Sequence, residues 1–572
     1  MRRVLIEAGF VVTIAVALSA CGTPKSAPAG ASTKTDADAK RVPTAKRPDA
    51  NAPVLDVSLL RRHTKALSDD AMQGRRPGTD GGKKAVAYIS AQMKALGLTP
   101  AGEEGWTQTV PMRAVTLDGA RSSLALRTGK GEPKPLAMGT EIVAGSLGAA
   151  GTTQVDAPLV FVGYGVTAPE FEWDDYADVD VRGKVVVVFV GDPPVEDDRF
   201  GGPAMTYYGR WTYKFERALE AGAAGCLVVH ETGPASYGWN VVDSSWSGER
   251  FDLQQPGGTV PARLGVQGWI HRDLAERLAK AAGSDLAGWH ARALEPDFAP
   301  VPLGTSLVAS LVTTERTMSD VNVLGMIPGR DRPQEYVLIT AHWDHLGVDP
   351  KAKGEDDAIF NGAIDNASGI AGMLGVGAQL QARANAGKGP GRSVVLLATT
   401  AEEQGLLGSR HYAAHPLVPA ESIVAVANLD SMNVYGRTTT ITVPGRGQNT
   451  LEDVLAQVAQ QQGRTLVDDE RPEAGSYFRS DHFSFAKVGI PAITFRGGKT
   501  MEEGGSAAGE AIARAVAERY HTVADNYDAA WSFEGALQDA QAVLEVVTHV
   551  ADAAEPPRWN PGRGWARPKP AP

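Results

Sequence analysis

Beyond residue 319 the chain alternates in a way that restricts its fold more than any other feature. Apolar runs at 336–340, 393–399, 423–429 and 492–495 are separated by helical patterns at 370–384, 406–414 and 451–462, with a last one at 533–550. Runs so rich in Val, Ile, Leu and Ala must be buried on both sides, and the helices between them supply the cover. This order predicts an α/β domain built on a mostly parallel sheet. Residues that do chemistry in such a sheet gather at the carboxyl ends of its strands.

Those ends are where the sequence concentrates imidazoles and carboxylates. His342 and Asp344 follow the run 336–340. A lone His-x-Asp pair is more often a satisfied structural histidine. As a metal ligand it would need its tautomer fixed, and Asp344 can accept the second ring N–H. His345 would point elsewhere if the strand alternation persisted. Asp365 lies in the small-residue turn 361–369 ahead of a Gly-rich helix. There it could cap the helix or present its two oxygens to two cations. Glu402 and Glu403 read either as a solvated acidic pair at a helix start or as a metal ligand beside a general base.

Asp430 closes the apolar run 423–429, where an unpaired charge would be costly. His521 comes after a helical stretch at 511–519, with Tyr520 adjacent and able to donate to an oxyanion. Each bland reading is reasonable alone. Jointly, five donors stand behind consecutive strands of one domain. Two divalent cations (+4) against Asp365, Glu403 and Asp430 (−3) leave a cluster close to neutral.

With 572 residues the chain exceeds one hydrophobic core, so two or more domains are expected. A net charge of −11 without a basic stripe argues against a nucleic-acid partner. Residues 1–21 read as a signal segment: Arg2 and Arg3 precede an apolar stretch at 10–18. The following Leu18-Ser19-Ala20-Cys21 resembles a lipobox, in which the signal is cut before Cys21 and that thiol is acylated. A lipid anchor on Cys21 would hold the protein at the bacterial cell envelope, on the periplasmic or outer-surface side. Residues 22–52 would form a polar tether. No later stretch is long and apolar enough to span a bilayer, so the anchor would be lipid alone. Cys226, the other of two cysteines, lies in an apolar run and reads as a buried inert thiol.

Residues 53–116 contain the turn-rich 73–79 and then a helical stripe of Val86, Ile89, Met93 and Leu96, stopped by Gly97. The segment 117–300 differs in texture, β-rich with short strands at 185–190 and 226–229 and a helix at 214–221 between them. Residues 301–555 hold the α/β domain, and 556–572 are a Pro/Gly-rich tail.

The fragments AHWDHLG, NGAIDNASG, AEEQGLLGS, NLD and YHT resemble those of the M28 family of zinc peptidases, and 117–300 resembles a protease-associated (PA) domain inserted in such enzymes. The resemblance implies a three-layer αβα peptidase domain with two Zn2+. One zinc would be held by His342, Asp365 and Asp430, the other by Asp365, Glu403 and His521. Glu402 would be the general base, Asp344 the orienter of His342 and Tyr520 an oxyanion donor, while Asp481 and His482 would line the pocket or serve structure. An aminopeptidase acting on peptides is the leading expectation, because little chain follows the helix 533–550. A glutamate-carboxypeptidase-type enzyme, a glutaminyl cyclase and a metal-free binding protein are the alternatives. The sequence names no partner for the inserted module.

Overall fold

The computed structural model describes residues 54–565 apart from 178, 197, 198, 247, 256, 257, 350, 351 and 354–356. The signal segment 1–21 with its Cys21, the tether 22–52 and the last residues of the tail lie outside the described residues. The fold is mixed α/β around a large, mostly parallel central sheet.

In the carboxyl-terminal half the strands run in the order Ala492–Thr494, Ile423–Asn428, Arg332–His342, Arg392–Thr399 and Val301–Ile327. The first four are mutually parallel and only the fifth pairs antiparallel. All eight residues of Arg392–Thr399 and all six of Ile423–Asn428 are buried, as continuous apolar strands require. One face packs Val337, Ile339, Leu396 and Ala427 against the helices Val57–Leu67, Gly369–Asn385 and Glu534–Asp552. The other packs Leu338, Val395, Leu397 and Val426 against Tyr412 of Leu407–Ala414 and Phe485 of His482–Lys487. This is the three-layer arrangement expected.

The helix Asp80–Leu96 buries Ile89 and Met93 fully and packs Val86 and Leu96 at the margin of the same core; Gly97 closes it in a left-handed conformation (φ +82°).

The strand Val301–Ile327, 27 residues long, was not legible in the sequence. It pairs with Gly151–Phe161 and Ser123–Thr128 near its start, with Thr107–Leu117 further along, and with Arg392–Thr399 at its end. A single strand thus runs from the middle segment into the peptidase-like sheet. The middle segment is itself more parallel than its texture suggested. Gly151–Phe161, Val185–Phe189, Gly225–Val229 and Val266–Ile270 are neighbouring parallel strands, with Ile142–Gly145 antiparallel at the edge. Cys226 is fully buried among Val186, Val188 and Val228, as expected of an inert thiol. Among the described residues no helix is long and apolar enough to cross a membrane.

Candidate metal centre

Strand geometry delivers the first donor. His342 is the last residue of Arg332–His342 and pairs with Thr399 of the neighbouring strand, so its ring is fixed at the carboxyl edge of the sheet and is 1% exposed. Its Nε2 lies 3.2 Å from Asp365 Oδ1, 3.5 Å from Asp430 Oδ1 and 4.0 Å from Glu402 Oε2. Its Nδ1 lies 3.2 Å from the Asp344 carbonyl oxygen but 3.8 Å from the Asp344 carboxylate. The backbone, rather than the carboxylate predicted from sequence, is therefore the nearer acceptor for His342. The Asp344 carboxylate instead accepts the Glu402 backbone N–H at 3.1 Å.

Asp365 sits in the turn before Gly369–Asn385, and its peptide bond to Asn366 is cis. The turn is held from outside: the Asp525 carboxylate accepts the N–H groups of Ile364 and Asp365 at 3.0 Å each. Held this way, Asp365 turns one oxygen to each imidazole. Its Oδ2 is 3.3 Å from His521 Nε2, on the side away from His342. Glu403 Oε2 lies 3.0 Å from the same His521 nitrogen. Asp430 stands two residues past its strand, and its Oδ2 accepts the Ser480 hydroxyl at 2.7 Å. The Ser480 oxygen in turn accepts Asn428 Nδ2 at 2.7 Å.

All five predicted ligands therefore converge, with Glu402 at their edge. Tyr520 stacks on His521, ring centroids 3.9 Å apart, and is 56% exposed. Asp481 and His482 are fully buried, and Asp481 Oδ2 accepts the Thr399 hydroxyl at 2.5 Å.

His345 corrects an expectation. The strand ends at His342, so alternation no longer governs side-chain direction three residues later, and His345 turns inward to place Nδ1 2.6 Å from Glu403 Oε1. It should hold Glu403 in place. His345→Ala is expected to weaken zinc affinity about 10–100-fold, the usual effect of losing a group that orients a ligand. A competition titration with a chelating indicator would measure this, and unchanged affinity would remove His345 from any such role.

The electrostatics divide the two adjacent glutamates. Burial opposes ionisation of both. For Glu403, His521 and His345 outweigh burial and hold the carboxyl down at about 2. For Glu402, burial together with Asp430 and Glu403 overrides the attraction of His342 and raises the carboxyl well above the usual range. Burial alone would lower both His342 and His521, but the surrounding carboxylates hold each imidazole well above its ordinary value. Neighbouring carboxyls pushed apart in this way suit one to be a permanent anion and the other a proton carrier.

The donor set fits a divalent cation. Zinc bonds to nitrogen and oxygen of about 2.0–2.1 Å in a tetrahedron put neighbouring ligand atoms about 3.3 Å apart. The four closest imidazole–carboxylate pairs involving His342 and His521 span 3.0–3.5 Å. Asp365 Oδ1 is buried yet accepts no hydrogen bond among the described residues. The groups His342, Asp365, Glu403 and His342, Glu402, Asp430 each bring their donor atoms within 4.8 Å of one another.

Residues 322–547 match the family described as Peptidase family M28. Over this part the chain is similar to peptidase family M28. The M28 segment contains every donor from His342 to His521. The chain is also similar to a glutamate carboxypeptidase 2 homolog of Caenorhabditis briggsae, 23% identical over 392 residues that cover 60% of this chain and 49% of the relative. It thus spans about half the length of that curated relative. Among solved structures it is similar to an aminopeptidase from Aneurinibacillus sp. strain AM-1, at 18% identity and TM-score 0.49, covering 90% of this chain and 98% of the other. It is likewise similar to BSAP, a zinc aminopeptidase from Bacillus subtilis, at 19% identity and TM-score 0.46, covering 88% and 97%.

Proposed function

We propose that the chain is a di-zinc exopeptidase, an aminopeptidase that removes the N-terminal residue of peptides. The observation that carries this proposal is the Asp365 carboxylate, with one oxygen toward His342 and the other toward His521. His342, Asp365 and Asp430 would hold one zinc; Asp365, Glu403 and His521 would hold the other. Two bound zinc ions would polarise the scissile carbonyl and acidify the attacking water.

Glu402 takes the proton from that water and returns it to the leaving amine, a task for which its raised proton affinity suits it. Asp344 fixes the backbone from which Glu402 projects, through the 3.1 Å bond to its N–H. Tyr520, stacked on His521, brings a phenol to the rim, where it can donate to the oxyanion.

The partners of the site's carboxylates favour a substrate amine. Asp344, Asp365, Glu402, Glu403 and Asp430 pair with histidines, and among the described residues none of them pairs with Lys or Arg. A substrate α-ammonium group would therefore meet carboxylates with no Lys or Arg paired to them.

A second reading, release of a C-terminal residue, draws on Arg479. This residue is partly buried against the Tyr237 ring, and among the described residues its Nη2 bonds Ser236 Oγ and the carbonyls of Ala235 and Ala474. It pairs with no carboxylate among the described residues and could receive one from a substrate. The segment 117–300, taken here as a PA insert, contributes Ser236 and Tyr237 to that seam.

A panel of peptides with free or blocked N-termini, and free or amidated C-termini, separates the two. Cleavage that requires the free amine, stops with a zinc chelator and returns with added zinc is the expected result. Cleavage indifferent to N-terminal blocking would reject aminopeptidase, and a requirement for the free C-terminus would favour the second reading.

A further inference from the structure

The turn-rich segment 73–79 has no part in the chemistry above, yet it is wedged between the two loops that carry the cluster. Gly74 has φ +63°, and a Cβ there would lie 2.3 Å from the carbonyl oxygen of Gly347 and 2.7 Å from that of Phe360. Only glycine lets the chain pass so closely between them. Arg75 follows, also in the left-handed region at φ 48°, and is 1% exposed.

Every arm of its guanidinium is engaged. Nε donates to the Trp343 carbonyl at 2.9 Å. Nη1 donates to the carbonyls of Leu67 at 2.7 Å and Asn361 at 2.6 Å, and Nη2 to that of Gly362 at 2.9 Å. The backbone oxygen of Arg75 also accepts the His345 N–H at 3.4 Å. The fork therefore ties the turn bearing His342 and His345 to the turn bearing Asp365.

A guanidinium bonded only to neutral carbonyls is costly to bury. Burial lowers its pKa to about 10, while the carboxylates of Asp525, Asp344, Asp365 and Glu403 around it act in the opposite sense. Its charge is compensated at a distance by the cluster rather than by a contact partner. An apolar side chain could fill the space, but only a planar fork can hold four carbonyls from three separate segments.

We infer that Arg75 is a positioning residue for the metal centre, fixing the separation of the His342 and Asp365 turns so that both face one cation. This inference rests on the metal-centre reading above.

The test uses the full chain with Arg75→Lys, which keeps the charge but not the fork. Relative to wild type, zinc affinity measured by indicator competition should fall about 10–100-fold, the range for losing a group that orients ligands. The visible spectrum of the Co2+-loaded variant should change, and kcat should fall while KM holds. A variant with wild-type zinc affinity and cobalt spectrum would overturn the inference. Should the variant fail to fold, hydrogen exchange on the wild type decides. Zinc loading should slow exchange across 67–76 together with 342–346 and 361–366, and unchanged exchange in 67–76 would overturn it. A wild type that takes up no zinc would sink the metal-centre reading and this inference together, whereas a zinc-binding wild type beside an unaffected Arg75→Lys sinks only the inference.

Discussion

Glu402→Gln should retain its zinc and lose its turnover. The amide matches the carboxyl in shape but cannot accept a proton from water, so kcat should fall by about 10²–10⁴-fold, the usual contribution of a general base. KM should change little. Zinc content should be unaffected, because Glu402 lies 4.0 Å from His342 Nε2 while Asp365 and Asp430 lie closer. The metal-free variant should also be no less stable than wild type. Without metal, burial and the neighbouring Asp430 and Glu403 already favour the neutral carboxyl at this position, so a neutral amide changes the charge there little. Glu403→Gln should behave differently. Its oxygens face His345 at 2.6 Å and His521 at 3.0 Å, so that variant should lose metal before it loses chemistry. Metal analysis alongside single-substrate kinetics on both variants separates the roles. A Glu402→Gln enzyme retaining most of its rate, or emptied of zinc, would show that the two glutamates have been assigned the wrong way round.

The distinction between these neighbours was only partly present in the sequence. Where burial dictates structure, the residues announce it. The runs that became Arg392–Thr399 and Ile423–Asn428 are buried throughout because both faces are covered, and the ends of Arg332–His342 and of these two strands located His342, Glu402, Glu403 and Asp430 within four residues. Convergence was harder to see. Asp365 and His521 are separated by 156 residues in sequence but lie 3.3 Å apart, which periodicity does not encode.

What stayed hidden did so for identifiable reasons. His345 was set aside because alternation was extended past the end of its strand. The strand Val301–Ile327 mixes exposed and buried positions without a constant period, since it changes partners along its length. Asp525 and Arg75 act through backbone groups, and a backbone carbonyl carries no side-chain signature. Asp344 was legible as a partner of His342, but whether its carboxylate or its carbonyl does the orienting depends on a turn geometry that composition cannot reveal.

Asp365→Asn should empty the site of both cations, whereas loss of any other donor should cost mainly one. The reason is geometric. Among the imidazoles of the described residues, Asp430 pairs with His342 and Glu403 with His521 and His345, but Asp365 stands between His342 at 3.2 Å and His521 at 3.3 Å. The amide keeps the volume and one neutral oxygen, removes the negative charge, and turns an N–H₂ toward one imidazole. The loop itself should survive, because Asp525 holds it through the N–H groups of Ile364 and Asp365 rather than through the side chain. Near-zero zinc in a folded protein, with activity below detection, is therefore the expected outcome. Asp430→Asn and Glu403→Gln should each retain about one equivalent. Thermal unfolding gives an independent reading, since a ligand present at about 1,000 times its Kd stabilises the folded state by about 4 kcal/mol. Zinc should raise the wild-type Tm, raise that of the single-site variants less, and leave Asp365→Asn unmoved. An Asp365→Asn protein holding one zinc would assign the carboxylate to a single cation, and one holding two would place the bridge elsewhere.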